Sequence, residues 1–356
     1  MPRAFLAGWL LLTCASLAQA ASYPAPAEGD YLIHDFRFAS GETLPELRLH
    51  YTTIGSPIMD ETGLVTNAVL ILHGTAARGS VFLTEQFAGS LFGPGQPLDA
   101  QRYYLILPDA LGAGKSSKPS DGLRTRFPHY TYEDMVRAQY QLVLDKLHVN
   151  HLRLILGASM GCMHAWMWAE NYPYFMEALV PMACLPAPIA GRNRMQRRTI
   201  MDAIRNDPDW RNGNYEKQPR GLITALQINF IGTASVEKLQ RRAPSAAEAE
   251  KLMDDSVRER LATTDANDYL YQWDASRNYD PGPGLEKIRA EVVAVNSADD
   301  PVNPPELGIM EREIARVRNA RYFLIPAGEK TVGHRTYLVA ELWKVILPEL
   351  IEHEEH

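Results

Sequence analysis

A serine stands in the run Gly157-Ala158-Ser159-Met160-Gly161, directly after the apolar stretch Leu152–Leu156 and ahead of a helix-like stretch from Cys162 to Glu170. A tight strand-to-helix turn strains its central residue, and only small neighbours let strand and helix approach, a need that the two glycines meet. Such a turn presents the Ser159 hydroxyl at the strand's end, where the first N–H groups of the helix favour an oxyanion. This is the pattern of a serine nucleophile for acyl chemistry, and it demands a base, because a neutral hydroxyl attacks poorly. Of the ten histidines, His34 and His50 lie near the start, His353 and His356 in the tail, and His129, His148, His151 and His164 in predicted loops or helix ends with no orienting neighbour. His73 reads as structural. His334 differs, because it follows Gly333 in the loop after the last predicted strand and precedes a predicted terminal helix, Tyr337–Ile351. The carboxylate that orients it should lie between serine and histidine at a strand's end. Glu291–Asn296 is that strand, and in the following loop Asp300, four residues before Pro304, is preferred to Asp299, which reads as a turn cap.

A tetrahedral oxyanion needs a second donor. His73-Gly74-Thr75 follows a predicted strand, so the backbone N–H of Thr75 is expected to act with that of Met160, each stabilising the transition state by about 3 kcal/mol. Short apolar runs that could position these groups occur at Leu47–Tyr51, Ala68–His73, Tyr103–Pro108, Leu152–Leu156, Ala178–Met182, Glu291–Asn296 and Arg321–Pro326. Helical spacing separates several of them, as in Tyr132–Leu147, where Met135, Ala138, Leu142 and Leu147 recur every three to five residues. Alternating strands and helices predict an α/β fold with a doubly wound, mostly parallel sheet covered on both faces. The alternation lapses between 186 and 290, a region rich in Arg, Gln, Asn and Asp with helical pieces at Met195–Ile204 and Ala246–Thr263. The expected organisation is a core in two parts, 21–185 and 291–356, separated by a helical insertion.

With 356 residues, 46% hydrophobic and 22% charged, the chain can bury one large core. A formal charge of -7 offers no dense basic face for nucleic acid or an anionic membrane. The first twenty residues combine Arg3, an apolar run from Ala4 to Leu12 and the small-residue site Ala18-Gln19-Ala20, the order of a secretory signal cut after Ala20. After it, no apolar stretch is long enough to span a bilayer, so the mature chain is expected to carry no integral membrane segment and to be periplasmic or secreted. It retains Cys162 and Cys184, expected as buried free thiols, with a single bridge as the less favoured alternative. No His/Cys spacing suggests a metal, and Gly112-Ala113-Gly114-Lys115 lacks the interval of a phosphate loop, so no cofactor is expected.

These residues lie within a wider likeness. Gly93-Pro94-Gly95 with Asp99, Phe127-Pro128, Asp134-Met135-Val136-Arg137-Ala138-Gln139, the Ser159 turn, Asp207-Pro208-Asp209-Trp210, Asp300 through Glu306 and Gly333-His334 together resemble the homoserine O-acetyltransferase branch of the α/β-hydrolase superfamily. The resemblance implies an α/β-hydrolase fold, a helical lid over 186–290, a Ser-Asp-His triad, an acyl-serine intermediate and often a dimer formed through the lid. The chain departs from that branch in three ways. Arg335 stands where the family carries an Asp suited to a substrate ammonium group, the oxyanion segment reads His73-Gly74-Thr75-Ala76 instead of His-Ala-Leu-Thr, and the signal directs the chain away from acetyl-coenzyme A.

The first expectation is therefore a secreted serine hydrolase acting on a small acyl ester or thioester, with O-acyl transfer of the homoserine type as the alternative and a non-catalytic binding protein as the third. Arg335 and the basic run that includes Arg197 and Arg198 are candidates to receive a substrate carboxylate, although such a run also reads as a solvated helix face.

Overall fold

The computed structural model describes residues 23–351. The signal expected over 1–20 lies outside the described residues. Eight strands form one sheet: β1 (Ala27–Arg37), β2 (Thr43–Ile54), β3 (Ala68–Leu72), β4 (Tyr104–Pro108), β5 (Leu152–Ala158), β6 (Met176–Met182), β7 (Glu291–Ser297) and β8 (Ala320–Ile325), in the order β1-β2-β4-β3-β5-β6-β7-β8. β1–β2 and β2–β4 pair antiparallel and every other neighbour parallel, so β3 through β8 point their carboxyl ends the same way. The α-helices are α1 (Ala88–Leu91), α2 (Tyr132–Gln141), α3 (Met160–Asn171), α4 (Gly191–Arg205), α5 (Arg220–Thr233), α6 (Val236–Arg242), α7 (Ala246–Leu261), α8 (Ala266–Asp274), α9 (Ile309–Ile314) and α10 (Leu347–Ile351).

Side-chain alternation along the central strands builds two cores. Leu70, Leu72, Ile155 and Ala294 face one side, where α2 and α3 supply Met135, Ala138, Trp166 and Trp168. Val69, Ile71, Leu154, Leu156, Val293 and Val295 face the other, with Phe82, Phe87, Trp343 and Leu350. Strands buried on both faces are why these runs read as continuous apolar stretches. A third cluster, including Ile200, Leu222, Leu226, Tyr269 and Trp273, holds α4, α5 and α8 together between β6 and β7. No helix among the described residues is long and apolar enough to cross a membrane.

Two sequence expectations need correction, and one strand was not expected. Instead of a single terminal helix over Tyr337–Ile351, there are three 3-10 turns followed by α10, which begins only at Leu347. Pro348 lacks an N–H and its ring crowds the carbonyl one turn back, so a continuous helix cannot run through it. β1, which carried no clear pattern, is an eleven-residue edge strand. Finally, Cys162 and Cys184 are not free thiols but a disulfide. Neighbouring β5 and β6 deliver the first turn of α3 and the loop after β6 to the same place, leaving the two Cα atoms 6.0 Å apart. The bridge closes a 22-residue separation, so replacing both cysteines with Ala should lower the unfolding free energy by about 3 kcal/mol. A denaturant midpoint unchanged from that of the oxidised protein would contradict this.

Candidate active site

At the junction of β5 and α3, Ser159 adopts φ +54°, ψ -110°, and α3 begins at the next residue. Two glycines make this turn possible. A Cβ on Gly157 would stand 2.1 Å from the Gly161 carbonyl oxygen, and one on Gly161 would stand 2.1 Å from that of Leu72 on β3. The Ser159 N–H donates to the Met182 carbonyl at 2.8 Å, fixing the turn to β6.

The loop after β7 brings Asp300 in, and the segment after β8 brings His334. His334 Nε2 lies 2.8 Å from Ser159 Oγ, and His334 Nδ1 lies 2.9 Å from Asp300 Oδ2. A carboxylate can only accept, so Nδ1 carries the proton of this pair and Nε2 is left to accept the serine O–H. Asp300 also accepts from the Val302 N–H at 2.8 Å and from Asn303 Nδ2 at 2.9 Å. Burial alone would raise its pKa, but the His334 charge and these hydrogen bonds outweigh it and hold the carboxyl below its ordinary range. Asp299 has a different task, accepting the Gly333 N–H at 3.0 Å and the Ser297 hydroxyl at 2.5 Å.

Met160 is the first residue of α3, so its N–H has no acceptor within the helix. On the facing loop, Gly74 packs so close that a Cβ there would lie 3.2 Å from Ser159 Cβ and 3.4 Å from the Tyr337 hydroxyl. Thr75 follows. His73 secures this loop, with Nδ1–H donating to the Gly74 carbonyl at 2.8 Å and Nε2 accepting from the Ala110 N–H at 2.9 Å. Burial lowers its pKa, consistent with the neutral tautomer that this pattern requires. A second tie comes from α8, where Gln272 accepts the Ala76 N–H at 2.7 Å and donates to the Gly112 carbonyl at 2.7 Å.

The other candidates are placed elsewhere. Arg197 is buried in the packing of α4 against α8, donating to Asn193 Oδ1 and Ser276 Oγ and lying 5.0 Å over the Trp273 ring. Arg198 is at the surface, bonded to Asp202 one turn away. Arg335 is exposed beside His334. Among the histidines passed over, His164 lies in the middle of α3 beside Gln139, and burial lowers its pKa to about 3. His50 meets Asp30 and His151 meets Glu177, but neither pair includes a hydroxyl nucleophile. No cluster of three or more metal-binding side chains occurs among the described residues. An open cavity of about 440 Å³ lies between β1 and α2, lined by Phe36, Arg137 and Gln141 and separated from Ser159 by several strands. It contributes no group to this cluster. Asn303, Gln272 and Tyr337 had no sequence signal; only the assembled loops give them meaning.

Comparisons with known proteins agree with the fold. The α/β hydrolase fold family matches residues 67–331, and the chain belongs to that family, in its homoserine O-acetyltransferase-like branch. It is 32% identical to a probable acyltransferase of Methanothermobacter thermautotrophicus over 78% of this chain and 84% of that one. It is 30% identical to a homoserine O-acetyltransferase of Geotalea daltonii over 86% of this chain and 91% of that one. In three dimensions it resembles esterase E22, with a TM-score of 0.80 at 18% identity, covering 92% of this chain and all of the other. The chain is thus an enzyme of a family whose similar members include acyltransferases.

The close approach at Gly161 generates a test. Gly161→Ala forces α3 away from β3 and should slow fluorophosphonate labelling of Ser159 by roughly tenfold or more, a modest fraction of what one misplaced oxyanion donor costs. Gly328→Ala, where an added Cβ meets nothing within 4 Å, should label like the parent. Equal rates in both variants would refute this account of the turn.

Proposed function

We propose that this enzyme is an exported serine hydrolase of small acyl esters or thioesters, with Ser159, His334 and Asp300 as its catalytic triad. The observation that carries the reading is the unbroken line from the Asp300 carboxylate through the imidazole to Ser159 Oγ, with contacts of 2.9 and 2.8 Å. In the reaction, Ser159 Oγ attacks the acyl carbon while His334 Nε2 takes its proton, and the carbonyl electrons move onto an oxygen held by the N–H groups of Thr75 and Met160. Collapse breaks the bond to the leaving group, which receives the proton from His334. Water then attacks the acyl-serine with His334 again as base, releasing the acid and restoring the Ser159 hydroxyl. Asp300 remains ionised and steadies the imidazolium.

The helices of 186–290 serve as a lid in this reading. The exposed Met195, Ile231 and Val236 on that segment fit a dimer formed through it. Export with cleavage after Ala20 is supported by the Cys162–Cys184 bridge, because disulfides persist in oxidising compartments.

The relatives favour one alternative, O-acyl transfer to homoserine. Against it stands Arg335, which repels an ammonium group next to His334. Incubation with acetyl-coenzyme A and homoserine should yield hydrolysis without O-acetylhomoserine, and accumulation of that ester would reverse the assignment.

The triad has a sharper test. Ser159→Ala should abolish the burst with 4-nitrophenyl acetate, and Asp300→Asn should reduce kcat by about 10⁴-fold, because Asn can present the wrong hydrogen-bonding group to Nδ1. Full activity in Ser159→Ala would end the proposal.

A further inference from the structure

Arg260 lies near the end of α7, beside the loop that follows Gly74. Arg198, Arg241 and Arg258 each pair with an Asp or Glu one turn away on their own helices. Arg260 forms no ion pair among the described residues; its Nη2 donates to the Ala76 carbonyl at a long 3.5 Å, and its Nε is buried without a partner. Ala76 is two residues beyond Gly74, the residue packed against Ser159 and the Tyr337 hydroxyl. Two further buried oxygens also lack partners, that of Thr75, next to Ala76 in the chain, and the Tyr269 hydroxyl, in the cluster against which Ala76 packs. Burial raises the pKa of Tyr269 to about 12 and raises that of Tyr337, and the Arg260 charge opposes both shifts. Arg335 adds a second cation on the His334 side, and its charge also acts on Tyr337.

A half-buried guanidinium with an unused N–H gains from meeting an acceptor, and an anion gains it most. A carboxylate satisfies that demand, accepting from the guanidinium and from neighbouring hydroxyls together. We propose that Arg260, with the hydroxyls of Tyr269 and Thr75, forms a carboxylate subsite beside Ser159, so that the preferred ester carries an anionic group in its acyl or its alcohol part. This deepens the hydrolase reading and rests on it for the claim that the bound carboxylate belongs to a substrate.

Two matched pairs distinguish the sources: mono-4-nitrophenyl succinate against 4-nitrophenyl butyrate for the acyl part, and 4-acetoxybenzoate against phenyl acetate for the alcohol part. In one pair, Arg260→Gln should lower the charged-to-neutral ratio of kcat/KM by roughly tenfold or more, the loss of one charge-assisted contact. Arg260→Lys should recover part of it. A ratio unchanged within about twofold in both pairs would overturn the subsite, as would a parallel fall of both members. Calorimetry of succinate with Ser159→Ala makes the test independent of turnover. Binding that weakens about tenfold on adding Arg260→Gln supports the subsite even if no ester is hydrolysed, in which case the hydrolase reading alone fails. Absence of succinate binding, with neutral esters still hydrolysed, overturns the subsite and leaves that reading standing.

Discussion

At φ +54°, the Ser159 backbone occupies a region where an L-residue crowds its own carbonyl, and most of the site depends on holding it there. β5 and α3 do so from within the chain, β6 through the Ser159 N–H, and β3 through its contact with Gly161. A residue strained in this way cannot relax without withdrawing its hydroxyl from His334. The disulfide reinforces the same place, joining Cys162, three residues beyond Ser159, to the loop that follows β6. Strain at one position is thus opposed by packing, backbone pairing and a covalent link.

The partners of the serine are held by a different means. Asp300 and His334 occupy loops after adjacent parallel strands, and those loops are joined by the Asp299 contact with the Gly333 N–H as well as by the buried carboxylate-imidazole pair. The two neighbouring aspartates therefore divide the labour, one fixing the backbone that carries the histidine and the other orienting its ring. A buried carboxylate is tolerable only because three donors from His334, Val302 and Asn303 surround it.

Much of this was legible in the sequence because strand ends carry the chemistry in an open parallel sheet, and continuous apolar runs mark those strands. Ser159, His334 and Asp300 could each be located by the strand that precedes it. β1 was not legible, since only Ile33 and Phe36 of its eleven residues are buried, and an edge hairpin with polar residues on both faces has no alternation to read. The bridge between Cys162 and Cys184 was missed because their proximity exists only once β5 and β6 pair. Arg197 and Arg260 show the limit for charged residues: both lie in polar helical stretches that look solvated, yet one is packed over an indole and the other reaches toward the Ala76 loop. Periodicity identifies the apolar face of a helix, but it does not show which polar residue turns inward.

The amide of Gln272 belongs to α8, yet it holds the Ala76 N–H and the Gly112 carbonyl, so the placement of α8 and the shape of the loop that faces Ser159 are one mechanical matter. A displacement of α8 therefore also slackens the peptide that packs against Ser159 at Gly74, two residues before Ala76.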